Sequence, residues 1–198
     1  MNSIVPEQNK GSQSNTEASQ DFASAEEAVH FYSLARKRLL NVNEWHQVAG
    51  TLSADFALTD NEGNPITREP KESDHFKIDI PGPGPANGDG YDWVRVEEIA
   101  ESNEESGESM TIRVRPSTSP VNRQPGVAHF FSEDATSCFV IKRTGNTVTA
   151  SVFGRNEKPN TDVEKIVDKA RNTAVASGAV TAFSKLQWKS LVEGFVKL

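Results

Sequence analysis

The sequence predicts an α+β fold, in which a twisted antiparallel sheet of about six to eight strands is flanked by one N-terminal helix and two C-terminal helices. Apolar and polar residues alternate along several segments in the middle of the chain, which is the pattern of strands with one buried face. Apolar residues at helical spacing are confined to the two ends of the chain. Because strands and helices do not alternate, the sequence lacks the β-α-β units that build parallel sheets.

The composition restricts the classes of partner and the cellular location. The chain has 198 residues and a net charge of −7, which disfavours binding to nucleic acid or to an anionic membrane surface. The single cysteine, Cys138, excludes an internal disulfide and fits a reducing compartment. The sequence shows neither a signal peptide nor an apolar run long enough to span a membrane. We therefore expect a soluble, cytoplasmic protein.

The N-terminal part divides into a tail and a helix. Residues 1–23 are predicted to form a disordered tail, because Ser, Asn, Gln and Glu dominate them and offer little to bury. Residues 24–198 are predicted to form a single domain. Ser24 and Glu27 fit a capping box that starts a helix with one apolar stripe. Trp45, which follows this helix, is an expected core residue.

Two helices are predicted at the C-terminal end. Thr161–Glu164 fits a second capping box, and the helix that it starts is predicted to stop at Ser177–Gly178, because glycine suits a left-handed C-cap. The final helix is predicted to begin near Ala182, with Leu186 and Phe195 among its buried residues.

Three strands of the sheet are predicted at residues 75–80, 91–99 and 109–115. Their apolar face consists of Phe76, Ile78, Ile80, Val94, Val96, Met110, Ile112 and Val114. The opposite face carries cations, an acid and two large aromatic rings: His75, Lys77, Asp79, Tyr91, Trp93, Arg95, Thr111, Arg113 and Arg115. The run at 81–90, rich in Pro and Gly, is predicted to form a shaped loop or lid, and the acidic run at 100–108 is predicted to form a solvated loop.

A β-hairpin is predicted farther along the chain, where Gly145 and Asn146 suit a two-residue turn. The turn fixes the predicted register, which pairs Arg143 with Val148, Ile141 with Ala150 and Phe139 with Val152. Apolar residues near Cys138 lie on both faces of this hairpin, so we expect both faces to be covered there.

The face that carries the cations and aromatic rings is the candidate functional surface. The candidate ligand-binding residues are Lys77, Tyr91, Trp93, Arg95, Arg113 and Arg115. Arginines beside aromatic rings can bind a carboxylate or a flat ring through charge-assisted hydrogen bonds and stacking. The alternative is structural, since cross-strand acids often pair with such cations. The acids available for this are Asp79, Asp92, Glu97 and Glu98.

Three functions remain open from the sequence. The first is a non-enzymatic binding domain for a small anionic or aromatic ligand, and the second is a module for protein interaction or homo-oligomerisation. The third is an enzyme that acts through His75, Asp79 and Arg113, a set whose spacing is not diagnostic. The four histidines lack metal-binding spacing and Cys138 lies in a predicted strand, so neither a metal site, a cofactor nor a catalytic cysteine is expected.

Two resemblances complete the sequence analysis. Short segments resemble a bacterial protein family without an assigned activity: Trp45–Gly50, Ile78–Gly84 with Gly90–Val94, and Gly154–Glu157 with Pro159–Asn160. This resemblance covers residues 24–198 and implies no functional residues. The chain is similar, more loosely, to START-like helix-grip ligand-binding proteins, in which a curved antiparallel sheet and a long C-terminal helix enclose a cavity. That fold opens with a strand, whereas the sequence predicts a helix in first place.

Overall fold

The computed structural model describes residues 4–50, 54–80, 84–104, 107–122, 124–160 and 174–198. Within these ranges, strands lie at Ser12–Asp21 (β1), Asp55–Thr59 (β2), His75–Asp79 (β3), Asp92–Glu104 (β4), Gly107–Pro116 (β5), Thr136–Thr144 (β6) and Thr147–Glu157 (β7). The α-helices of the same ranges lie at Ala25–Leu40 (α1), Trp45–Ala49 (α2) and Ala174–Phe195 (α3), and short 3-10 helices lie at Val42–Glu44 and Ala86–Gly88.

The strands form one open sheet in the order β1-β7-β6-β5-β4-β3-β2, and every neighbouring pair is antiparallel. This arrangement confirms the predicted α+β class and the predicted number of strands. Residues from all three helices join the hydrophobic core on one face of the sheet, which we call the inner face. None of the helices in the described ranges is long and apolar enough to cross a membrane.

Trp45 lies at the centre of this core, as predicted, and is 0% exposed. Its ring contacts four phenylalanines from the sheet and from α3, with centroid distances of 4.8 to 5.7 Å: Phe56, Phe76, Phe139 and Phe195. The indole N–H donates a hydrogen bond to the Leu39 carbonyl at 3.0 Å, so the polar atom of the ring is satisfied inside the core. The predicted apolar face of β3, β4 and β5 is buried here, and Ile80 packs at its margin.

The segment predicted as a disordered tail contains β1, which pairs with β7 along its length. Its single apolar residue, Ala18, packs against the core. This edge strand is held in the sheet mainly by backbone hydrogen bonds. It therefore needs no alternation of apolar residues, and its polar sequence does not indicate a strand. The chain enters the edge at Gly11, where φ is +67° and a Cβ would lie 2.5 Å from the Glu157 carbonyl oxygen. Only glycine suits both conditions.

The acidic run at 100–108 is not a solvated loop, because β4 continues to Glu104 and β5 begins at Gly107. The prediction was wrong because two of the acids have partners on neighbouring elements. Arg36 of α1 contacts Glu101 at 2.8 Å, and Arg143 of β6 contacts Glu108 at 2.6 Å. Strand pairing together with these ion pairs outweighs the low strand propensity of glutamate.

The hairpin of β6 and β7 is confirmed in its turn and in its register. Gly145 adopts a φ of +58°, as a two-residue hairpin turn requires. The observed pairs are Arg143 with Val148, Ile141 with Ala150, and Phe139 with Val152.

The C-terminal helix differs from its prediction. The 22 residues of α3 form one helix, so the stop predicted at Ser177–Gly178 is wrong. Glycine within a helix costs only about 1 kcal/mol relative to alanine, which a long helix packed on β1, β7 and α2 can offset. Phe195 is buried as expected, whereas Leu186 is 67% exposed. The predicted capping box Thr161–Glu164 lies outside the described residues.

Candidate functional site

The opposite side of the sheet, which we call the outer face, is organised around Glu97. The register between β4 and β5 shifts between Val96 and Glu98, so Glu97 is the extra residue of a bulge. Its carboxylate contacts Arg113 at 3.0 Å and Arg115 at 2.5 Å. Burial raises the pKa of Glu97, but the hydrogen bonds and charges of the two arginines outweigh burial and hold this pKa below its ordinary value. The bulge thus supplies an ionised acid that holds two arginines side by side.

A cleft of about 440 Å³ opens on the outer face, where β3, β4 and β5 meet two loops. The residues that define its chemistry are His75, Arg95, Arg115, Ser117, Val127 and Glu133. The first three come from adjacent strands, since His75 pairs with Arg95 and Arg95 pairs with Arg115 in the sheet register. Ligand sites in proteins typically measure roughly 300–1,000 Å³, so this cleft is large enough for a small molecule.

Arg95 and Arg115 lie opposite each other on neighbouring strands. Among the described residues, Arg115 has partners for its guanidinium and Arg95 does not. Its guanidinium binds Glu97 and donates to the carbonyl oxygens of Glu133 at 2.8 Å and Asp134 at 3.2 Å. Arg95 is exposed and makes no ion pair or side-chain hydrogen bond within the described parts of the chain. Like charges that face each other across two strands are destabilising. Within the described residues, the cleft therefore presents a guanidinium that forms no ion pair.

His75 forms a buried wall of the cleft and is 8% exposed. Its ring lies edge-on to Trp93, with 6.5 Å between the centroids. Burial lowers the pKa of His75 and the charge of Arg95 lowers it further, although a hydrogen bond with the Asp60 backbone acts in the opposite direction. His75 is consequently neutral at pH 7 and adds no charge to the cleft.

Trp93 is placed beside the cleft and does not line it. The side chain is 2% exposed, and its indole N–H donates to the Gly88 carbonyl at 3.2 Å. Its backbone N–H donates to Ala128 at 2.7 Å. The Asn122 side chain, in turn, donates to the Asn87 carbonyl at 2.7 Å. Trp93 thus anchors residues 84–90 of the loop that the sequence predicted as a lid, since Gly88 packs against its ring.

The other candidate binding residues lie away from the cleft. Lys77 places its ammonium nitrogen 3.6 Å from the centre of the Tyr91 ring, a cation–π contact that occupies both side chains. Arg113 is covered by the N-terminal arm, residues 4–11, where the Ile4 carbonyl accepts a hydrogen bond from its guanidinium at 3.0 Å. Of the six candidates, those that the structure brings together in the cleft are Arg95 and Arg115.

The residues of the enzyme hypothesis do not converge. His75 and Asp79 lie at the two ends of β3, about 13 Å apart for a rise of roughly 3.3 Å per residue. Arg113 lies under the N-terminal arm. Burial raises the pKa of Cys138 to about 12, which makes its thiol unreactive. Within the described part of the chain, no group of three or more His, Cys, Asp or Glu residues could hold a metal ion.

Sequence reasoning missed the loop residues of the cleft, notably Ser117, Val127 and Glu133. The three prolines at 116–125 predict an irregular backbone, but they do not predict where this segment lies in the fold. Glu133 reaches the cleft because Arg115 binds its carbonyl, a tertiary contact without a sequence pattern. No sequence pattern could therefore have identified these loop residues as part of the cleft.

The solved structures that this chain matches are only remotely similar to it. No protein-family model matches the chain, and no curated protein matches its sequence. A hypothetical protein from Helicobacter pylori is similar in structure with a TM-score of 0.48 and 11% identity, over 92% of this chain and 87% of that one. The di-domain ARO/CYC protein StfQ of the steffimycin biosynthetic pathway has a TM-score of 0.41 and 13% identity, over 93% of this chain and 51% of that one.

A truncated norcoclaurine synthase from Thalictrum flavum has a TM-score of 0.35 and 9% identity, over 91% of this chain and 97% of that one. At these values the similarities transfer no activity and no site residues to this chain.

The described residues form an α+β domain with a simple order of elements. A strand comes first, two helices and six further strands follow, and a long helix closes the described chain. The departure expected from the sequence, a helix in first place, disappears because β1 precedes α1. The order of elements therefore agrees with the looser of the two resemblances.

Proposed function

We propose that this domain binds a small organic anion in the outer-face cleft, with the Arg95 guanidinium as the group that holds the anion. The observation that carries the proposal is the lack of any acidic partner for Arg95 in the described chain, although it lines a cleft. Arg115 and Arg113 on the neighbouring strand both have such partners. A carboxylate ligand would supply the missing partner through charge-assisted hydrogen bonds.

The surroundings of Arg95 favour an anion over a neutral ligand. Its cross-strand neighbour is the cationic Arg115, so a bound anion would reduce the repulsion between the two guanidinium groups. Pro116 and Val127 add apolar surface to the same cleft, which suits the hydrocarbon part of a small organic acid. His75 is neutral and buried, so Arg95 carries the charge recognition.

The test is a titration of the protein with acetate, benzoate and inorganic phosphate, followed by the NMR signals of the arginine Nε–H groups and by thermal unfolding. We expect a saturable shift of the Arg95 signal with at least one carboxylate. The variant Arg95→Gln should weaken that binding by about tenfold or more. The matched control is Lys142→Gln, which removes an exposed cation from β6 outside the cleft. No saturable binding, or equal binding by both variants, would refute the proposal.

A further inference from the structure

Glu133 is a second charged group in the cleft without a charged partner. Its side chain is exposed, lines the cleft and makes no ion pair within the described ranges of the chain. The neighbouring acid is used differently, since Asp134 binds Lys10 of the N-terminal arm at 2.7 Å. One of two adjacent acids therefore holds the arm, while the other remains available to a ligand.

Neither of these two charges is paired inside the cleft. The Arg115 guanidinium is occupied by the Glu97 carboxylate and by two backbone carbonyls. Arg95 and Glu133 line the same cleft without forming an ion pair with each other. Within the described residues, one cation and one anion thus line a space of about 440 Å³ without an ion-pair partner for either.

From this placement we infer that the ligand is a zwitterion, whose carboxylate binds Arg95 and whose ammonium group binds Glu133. The inference rests on the proposed function and names the class of ligand. A simple carboxylate would satisfy Arg95 but leave Glu133 unpaired and be repelled by it, and a phosphate dianion would be repelled more strongly. An aminocarboxylic acid supplies both partners in one molecule.

The geometry around Glu133 is suited to positioning an ammonium group. Its backbone is held by the Arg115 hydrogen bond of 2.8 Å to its carbonyl oxygen, and the next residue is held by Lys10. The backbone of Glu133 is therefore held at a fixed position relative to Arg95, because Arg115 and Arg95 are paired in the sheet. A binding site whose charged groups are fixed in advance loses less entropy when a ligand binds.

The experiment measures calorimetric affinities for an ω-amino acid series, from glycine and β-alanine through 4-aminobutanoate to 6-aminohexanoate. Each member is compared with its deaminated analogue, such as propanoate for β-alanine, and with the matching alkylamine. We expect one chain length to bind about tenfold more tightly than its deaminated analogue. Glu133→Gln should remove this advantage and leave carboxylate binding intact, whereas Arg95→Gln should weaken both.

The control variant is Glu17→Gln, which removes an exposed acid from the edge strand β1 and should leave every affinity unchanged. If no amino acid exceeds its deaminated analogue while carboxylates still bind through Arg95, the zwitterion inference is wrong and the proposed function stands. If no carboxylate binds at all, both fail together. An advantage that persists in Glu133→Gln would also overturn the inference.

Discussion

The two faces of the sheet are stabilised by different interactions. On the inner face the helices cover a continuous core, with Trp45 and Ile112 at 0% exposure. On the outer face, loops and the N-terminal arm cover strands that carry arginines and acids. Burial of apolar area supplies the larger stabilisation, whereas partly exposed ion pairs contribute less. The outer face can therefore carry a binding site at a lower cost to stability than the inner face.

The largest effect is expected on the inner face, from Trp45→Ala. The change removes a fully buried ring that contacts four phenylalanines, so the free energy of unfolding should fall by about 3–5 kcal/mol. Urea denaturation followed by circular dichroism measures this loss. Trp188→Ala is the control, because this half-buried tryptophan lies at the margin of the core and should cost less. Equal losses from both variants would contradict the central role of Trp45.

The same contrast explains how much of the fold could be predicted from sequence. Inner-face residues alternate or recur at helical spacing, and the hairpin turn at Gly145 fixes the β6 and β7 register, so these parts were predicted correctly. β1 was missed because an edge strand held by backbone hydrogen bonds needs no apolar face. Its Ser, Asn and Gln residues have the composition of a disordered segment.

The outer face was predicted only in part, because its chemistry depends on tertiary partners. The alternation correctly placed Arg95, Arg113 and Arg115 on one face, but it could not show which of them has an acidic partner. That difference follows from the bulge at Glu97, which brings one carboxylate to two arginines. The cleft also needs Glu133, which is distant from β4 in the sequence.

A smaller effect is expected on the outer face, from Glu97→Gln. The change leaves Arg113 and Arg115 without their shared anion, so the free energy of unfolding at pH 7 should fall by about 1–3 kcal/mol. Chemical denaturation provides the measurement. The control is Glu101→Gln, whose more exposed pair with Arg36 should contribute less than about 1 kcal/mol. A loss of the same size from the control would show that burial of the Glu97 cluster does not matter.

The pH dependence of Glu97 can be compared with that of Glu157, because the two shifts have opposite signs. The folded-state pKa of Glu97 lies below its ordinary value of 4.5. The stability that ionised Glu97 gives the folded state is therefore present above that pH and is lost as the pH falls through the folded-state pKa. Burial raises the pKa of Glu157, although hydrogen bonds from Ser14 and Ser12 oppose the rise. The stability that protonated Glu157 gives the folded state is present below the ordinary pKa of 4.5 and is lost as the pH rises through the folded-state pKa.

Denaturation curves from pH 3 to pH 7 should therefore separate the two variants. At the acid end of this range, the free energy of unfolding of Glu97→Gln should approach that of the wild type. Glu157→Gln should gain stability relative to the wild type as the pH rises. Parallel pH profiles for the two variants would contradict the assignment of opposite shifts.

The smallest effect is expected from Arg95→Gln, which should change the free energy of unfolding by no more than about 0.5 kcal/mol. Arg95 has no partner to lose within the described chain, and its removal relieves repulsion with Arg115. Arg115→Gln is the matched comparison and should be clearly destabilising. It removes the ion pair with Glu97 and the hydrogen bonds to two backbone carbonyl oxygens. If Arg95→Gln costs more than about 1 kcal/mol, Arg95 belongs with the structural ion pairs and the argument for an anion site loses its basis. If it costs nothing, stability does not account for an arginine at this position, and ligand binding is the explanation that the cleft supports.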